Sequence, residues 1–220
     1  MTAGTDRPAF VKPLVKTDPD VSRLITAENL RIENTICLIA AENYPPPAIG
    51  EAQGSVFTIK AAEGYPGSRY HAGCEQADHL ETLAVNRARE LFGAEHANVQ
   101  PHSGTSANLA VYFSALEIGD RILAMKLSHG GHLSHGDASS ITSRCFDFRH
   151  YGLDPNTERI DYDRLLDQAR SFRPAMIVAG ASAYPRRIDF QGFADIAKSV
   201  GALFMVDMAH IAGLVAGGVH

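Results

Sequence analysis

The stretch ALFMVDMAH, residues 202 to 210, is an apolar run that stops at an acid, Asp207, with His210 three positions later. An ionised carboxylate at the end of a buried strand is costly unless a cation or hydrogen-bond donors meet it. A metal, a buried arginine or a protonated cofactor would each serve. Upstream, PHSGTSAN, residues 101 to 108, sets Ser103, Gly104 and Thr105 at the opening of a helical stretch. Free N–H groups, two hydroxyls and the helix dipole there make a phosphate site, while simple capping by Ser103 is the plainer use of the same residues. The segment is neither a Walker loop nor a dinucleotide fingerprint. In KLSHGGHLSHG, residues 126 to 136, His129, His132 and His135 stand at three-residue steps. The glycines between them break the helix that would bring three imidazoles onto one zinc ion, and no carboxylate is placed as a further ligand, so no metal is expected. A flat imidazole stacked on an aromatic ring is the other use. Ser182, in SAYPRR, adds a hydroxyl able to bond a ligand.

These residues need a scaffold that brings chain segments far apart in sequence to one place. Residues 19 to 34 have apolar residues at helical spacing, opened by a proline after Asp18. A triple proline marks residues 43 to 47 as a loop, with a helix expected over 48 to 60. Residues 60 to 75, rich in glycine, tyrosine and charge, read as a long irregular loop of the kind that is usually functional. From there the pattern is regular: helix 75–92, strand ANVQ, helix 104–117, strand 121–125, strand 145–151, helix 161–172, strand 175–181, helix 189–199 and strand 202–207. Alternating strands and helices predict an α/β fold, a mostly parallel sheet with flanking helices. Ligands bind outside the carboxyl ends of such strands, and Asp207 sits at one of them. Two regions are expected, residues 1–75 carrying a helix and interface or active-site loops, and residues 76–220 forming a partial cofactor-binding domain.

Bulk properties narrow the partners. With 220 residues and 45% hydrophobic content the chain can bury a full core. A net charge of -5 without a basic block argues against nucleic acid. Cys37, Cys74 and Cys145 lie far apart with no CxxC pair, which suits a reducing, cytoplasmic setting. The N-terminal MTAGTDRPAF lacks the apolar core of a signal peptide, and no membrane span is expected.

Phosphate donors, a planar ring, a hydroxyl and an acid converging on strand ends suit pyridoxal 5'-phosphate, with Asp207 paired to the pyridinium nitrogen and His132 stacked on the ring. The motifs LIAAENY, AEGYPGSRYHAGC, ELFGAEHANVQPHSGTSAN, LSHGGHLSHG, GASAYPRRIDF and VDMAHIAGLVAGG resemble the serine hydroxymethyltransferase family, from about residue 20 to 220. The resemblance implies a fold-type I pyridoxal-phosphate transferase large domain. It also implies an enzyme that moves the hydroxymethyl carbon of serine to tetrahydrofolate, working as a homodimer or higher oligomer with sites at the subunit interface. By the same resemblance Ser103, Gly104 and Thr105 meet the phosphate, and Ser182 and His210 bond cofactor and substrate. The resemblance likewise implies that Glu63 is the catalytic acid or base donated by a neighbouring subunit, and that Leu133 contacts folate.

Three positions depart from the family pattern. Ala41 replaces a serine that holds the substrate carboxylate, Ala61 a tyrosine that reaches a neighbour's phosphate, and His71 a tyrosine near the substrate. They suggest an altered β-hydroxy amino acid substrate, a related aldolase, or decay of activity. The lysines are Lys12, Lys16, Lys60, Lys126 and Lys198, none in the context of the family's cofactor-binding lysine. Lys126 reads as a surface residue. The chain is therefore expected to be an N-terminal half of the enzyme, cut before the C-terminal part. It would be completed by a C-terminal half subunit, or would act as an inactive, dimerising or regulatory homologue.

Overall fold

A computed structural model describes residues 13–220, which fall into two compact units, one ending at Glu42 and one running from Asn43 to His220. Lys12 and the MTAGTDRPAF stretch lie outside the described residues. The boundary expected near residue 75 falls within the second unit, where a helix begins.

The first unit holds α1 (Leu14–Thr17) and α2 (Pro19–Asn34). α2 starts where the sequence places it because the Asp18 carboxylate accepts the Val21 N–H at 3.0 Å and Pro19, lacking an N–H, takes the first helical position.

In the second unit α3 (Pro47–Gln53) is shorter than the helix expected over 48 to 60. Gly54 ends it, and residues Val56–Ile59 make a separate 3-10 turn. The loop expected over residues 60 to 75 contains a small hairpin, β1 (Gly64–Tyr65) and β2 (Ser68–Arg69). Its turn is Pro66-Gly67, where Gly67 takes a φ of 76°, the left-handed position that such a turn demands. Helix α4 (Glu75–Phe92) follows, ended by Gly93 in the left-handed conformation.

The ANVQ segment, expected as a strand, is not one. The Asn98 side chain accepts the Gln100 N–H at 2.9 Å and donates to the Tyr65 hydroxyl at 3.3 Å, while the Gln100 amide bonds the Gly64 carbonyl and Glu81. Side-chain amides here take the backbone bonds that a ladder would use.

Next come α5 (Gly104–Ala115), β3 (Arg121–Met125), α6 (Thr142–Cys145), β4 (Asp147–Tyr151), α7 (Tyr162–Phe172), β5 (Met176–Ala179), α8 (Phe190–Val200), β6 (Leu203–Val206) and α9 (Ala212–Ala216). Strands β3 to β6 form one parallel sheet in the order β4-β3-β5-β6. Successive residues of β3 and β5 face opposite sides, and both sides are buried. Leu123, Met125, Ile177 and Ala179 pack with α7 and α8 residues such as Leu165, Phe172, Phe193 and Ile196. Ile122, Ala124, Met176 and Val178 pack with Tyr112 of α5 and with Phe146. Helices thus cover both faces, which is why these strands read as continuous apolar runs. The chain steps from β3 to β4 on one side and later from β5 to β6 on the other. The switch between β3 and β5 opens the crevice where such sheets bind ligands. Among the described residues, no helix is long and apolar enough to cross a membrane.

Candidate cofactor site

Asp207 follows the last residue of β6, and its N–H donates to the Ala179 carbonyl at 2.8 Å, a ladder bond that carries the β5–β6 pairing one step past the strand. Its carboxylate is met from two other elements. His135 Nε2 lies 2.9 Å from Oδ2, the Asn108 amide donates to the same oxygen at 2.9 Å, and the Ala209 N–H donates to Oδ1 at 3.2 Å. His135 is 1% exposed and Asn108 4% exposed, so both donors are sealed from water. Burial alone would raise this carboxyl group. The bonds from His135, Asn108 and Ala209 outweigh it and hold the acid well below the usual carboxylate range. Asp207 is thus a fixed negative charge. Two donors occupy Oδ2 and one occupies Oδ1, which leaves Oδ1 an accepting position for a cationic N–H.

A group whose carboxyl is depressed in the folded state adds stability above its unfolded value of about 3.9, and this is lost as pH falls through the lower folded value. The Asp207→Asn variant should therefore lose less stability than the parent chain as pH drops below about 4. Urea midpoints measured across that range would show it, and identical slopes would contradict the charge assignment.

His135 comes from the segment after β3, in a 3-10 turn Leu133–His135. Its Nδ1 takes the His132 N–H at 3.4 Å, so the ring proton sits on Nε2 and points at Asp207. His132 precedes the turn, half-buried. Burial holds its imidazole below the ordinary value, helped by His135 and His210 and opposed by Asp207, so the ring is neutral at neutral pH. Leu133, beside it, is 49% exposed. Lys126 and His132 line one cleft of about 290 Å³ with Asp137 and His150.

Ser103 caps α5: its hydroxyl accepts the Ser106 N–H at 3.2 Å and the Ser106 hydroxyl accepts the Ser103 N–H at 2.9 Å. The capping use is therefore real, and it leaves the next two N–H groups free. Gly104 and Thr105 donate to no protein acceptor among the described residues. Asn108 stands four residues after Gly104, so this helix end lies about 6 Å along the axis from the bond to Asp207. Ser182 is tied to the segment after β3 through its N–H, which donates to the Gly130 carbonyl at 2.7 Å. His210 is exposed in the turn Ala209–Ile211. A second cleft of about 390 Å³ runs along Gly180, Tyr184, Arg186, Asp207 and Leu214.

Glu63 and His71 stand apart from this cluster. Glu63 Oε2 and His71 Nε2 lie 3.1 Å from each other on the hairpin, both exposed, and no hydrogen bond joins them to Asp207 or its partners. The backbone around Glu63 is held by Arg69, whose side chain is 5% exposed. Its guanidinium donates to the Ala62 and Gly64 carbonyls at 2.7 and 2.9 Å, and to Asp78 and Glu81 of α4. Ala61 lies just before the hairpin, and Ala41 belongs to the first unit. Among the described residues no three His, Cys, Asp or Glu side chains are gathered for a metal ion.

The sequence singles out His135 only as a member of the histidine repeat and not as the partner of Asp207, and Asn108, Ser134 and Arg69 are not singled out. One signal was present for Asn108: it is a polar residue one turn before Tyr112 in an otherwise apolar stretch, ANLAVYF, and the two share the buried face of α5.

A family model described as serine hydroxymethyltransferase matches residues 14–220. The chain belongs to the serine hydroxymethyltransferase family. It is 61% identical to a serine hydroxymethyltransferase of Desulforapulum autotrophicum over 203 residues, covering 92% of this chain and 49% of that protein. It is 58% identical to one of Coprothermobacter proteolyticus, with the same coverage. The chain thus spans about half the length of the curated relatives it matches. The parallel sheet with helices on both faces is the large-domain fold expected from the serine hydroxymethyltransferase motifs.

Proposed function

We propose that this chain forms the cofactor cradle of a pyridoxal-phosphate-dependent hydroxymethyltransferase or related aldolase. The substrate would be serine or a similar β-hydroxy amino acid, tetrahydrofolate the one-carbon acceptor, the setting cytoplasmic and the assembly a homodimer or larger. The carrying observation is Asp207, a carboxylate kept ionised by buried donors with one accepting position unused. The residues present fit the cofactor: free N–H groups at the α5 terminus suit a phosphate, His132 offers a neutral ring, and Asp207 suits a protonated ring nitrogen. When bound, pyridoxal phosphate supplies an electron sink for cleavage at the amino acid's α-carbon.

The chain's own residues supply the rest. Gly104 and Thr105 N–H groups and the Ser103 and Thr105 hydroxyls anchor an anion. Asp207 would serve as the counter-charge that favours a protonated ring nitrogen. Ser182 and His210 bond polar groups at the rim. Glu63 moves a proton to or from a substrate hydroxyl, with His71 as its hydrogen-bond partner where the family pattern has a tyrosine.

The loss of hydroxyls at Ala41, Ala61 and His71 favours a second reading. In it the chain is a non-catalytic, dimerising or regulatory partner of an intact enzyme.

Titrating the chain with pyridoxal phosphate and following its absorbance and induced circular dichroism tests the cradle. A saturable, weak and reversible change is expected, with at least about tenfold weaker binding for pyridoxal, which lacks the phosphate. Equal binding of the two would remove the α5 terminus from the site.

A further inference from the structure

Between Asp207 and His132 runs a buried chain of hydrogen bonds to which no role has yet been given. We propose that Ser134 and Asn108 are positioning residues for His132, fixing its imidazole in the Nε2–H form and tying it to the Asp207 carboxylate. The proposal rests on the reading that His132 faces the cofactor, but its test uses the chain without cofactor, so the two can fail separately.

The assignment follows from counting donors. His132 Nδ1 receives the Ser134 N–H at 3.2 Å and lies 2.7 Å from the Ser134 hydroxyl. With both donors on it Nδ1 carries no proton, and a neutral ring then carries it on Nε2; the shorter hydroxyl bond holds the ring in place, and without it the imidazole can turn away from the backbone N–H. The Ser134 hydroxyl oxygen accepts the Asn108 amide at 2.8 Å, which leaves its hydrogen directed at His132. The other amide hydrogen of Asn108 goes to Asp207 Oδ2 at 2.9 Å. No link in this chain can reverse, because an amide nitrogen has no lone pair to offer. Ser134 is 0% exposed, so water cannot replace it, and the Tyr112 hydroxyl holds its carbonyl at 3.3 Å. His135 cannot take over the role, since its Nε2 is committed to Asp207 and its Nδ1 to the His132 N–H.

The consequence is chemical. His132 offers a ligand one polar atom, Nε2–H, and it is a donor. The same Asn108 side chain orients the acid proposed for the ring nitrogen and the serine that aims the stacking ring. The two contacts on a flat cofactor are therefore set together, which is the kind of second layer that keeps a site at fixed geometry.

Nitrogen-15 NMR of the histidine rings in the full chain at neutral pH tests this. The parent chain should show His132 as a single Nε2–H form with Nδ1 accepting. Ser134→Ala should lose that single form and give a mixture including Nδ1–H, because only the longer backbone bond remains at Nδ1. Asn108→Ala should do the same, since the freed serine hydroxyl can turn away. A purely structural role would lower the melting temperature and leave the His132 form as it is. The proposal is overturned if the parent chain already shows a mixture, or if folded Ser134→Ala keeps the single form. Should Asn108→Ala fail to fold, the Ser134→Ala result decides alone.

Discussion

Replacing Asp207 by alanine is expected to abolish pyridoxal phosphate binding and to lower the melting temperature in the same variant. The two losses have different causes. In the folded chain the buried Asn108 amide and the buried His135 Nε2–H both end on Oδ2, at 2.9 Å each. With alanine there, both donors face nothing, at a cost of about 1–3 kcal/mol each. For a domain of this size that is a fall of roughly 2–4 °C for every kcal/mol lost. Binding suffers separately, because a protonated ring nitrogen loses its counter-charge, and a hydrogen bond to a charged group contributes about 1.5–3 kcal/mol. Asp207→Asn separates the effects. An asparagine oxygen still accepts from buried donors but carries no charge, so this variant should keep most of its melting temperature and bind at least about tenfold more weakly. Absorbance titrations and thermal melts on the three proteins decide it. Undiminished binding by Asp207→Asn would mean that the acid serves the fold and not a ligand.

The framework around this acid was largely readable from the amino-acid order. Helix α2 announces itself by Asp18 and Pro19, and α4 begins at the acidic residues after Cys74 and stops at a glycine. β3 is bounded by Asp120 and Lys126, polar residues flanking a run whose two faces are both buried. Where the reading failed, side chains competed with the backbone. ANVQ has the composition of a strand edge, yet Asn98 and Gln100 spend their amides on neighbouring groups and the segment stays a loop. Gly54 ends early the helix expected over 48 to 60, and the Pro-Gly pair closes a hairpin within the expected irregular loop.

The candidate site divides in the same way. Asp207, His132 and Ser182 could be picked out because each follows a strand, and the position after a parallel strand is where a polar residue faces the crevice. Their pairings could not. His135 reaches Asp207 across 72 residues of chain and Asn108 across 99. Such contacts leave no trace in local spacing, and only the folded sheet shows that His135 turns inward to an acid. Glu63 and His71, eight positions apart, are paired by a hairpin whose turn is legible and whose anchoring by Arg69 is not.

The position of Asp207 depends on Gly180, and Gly180→Ala is expected to destabilise the chain by about 3 kcal/mol or more. Gly180 follows β5 with a φ of 124°, a conformation that residues with a side chain rarely adopt. Space is the larger obstacle. A Cβ there would stand 2.1 Å from the Asp207 carbonyl oxygen and 3.1 Å from the Asp207 Cβ. Neither can yield alone, because the Asp207 N–H bonds the Ala179 carbonyl at 2.8 Å and its carboxylate is held by His135 and Asn108. The alanine must therefore push the end of β6 away from β5 and carry the acid with it. Gly201, which caps α8 with a φ of 73°, is the internal comparison, since a Cβ there meets nothing within 4 Å. Gly201→Ala meets only the left-handed backbone penalty, about 1 kcal/mol. Thermal melts should accordingly place Gly180→Ala roughly 5 °C or more below Gly201→Ala. Pyridoxal phosphate affinity should fall in Gly180→Ala and hold in Gly201→Ala, since only the first substitution moves Asp207. Equal losses in the two variants would mean that β5 and β6 tolerate separation at this end, and that the acid is placed by its hydrogen-bond partners instead of by the close approach of the two strands.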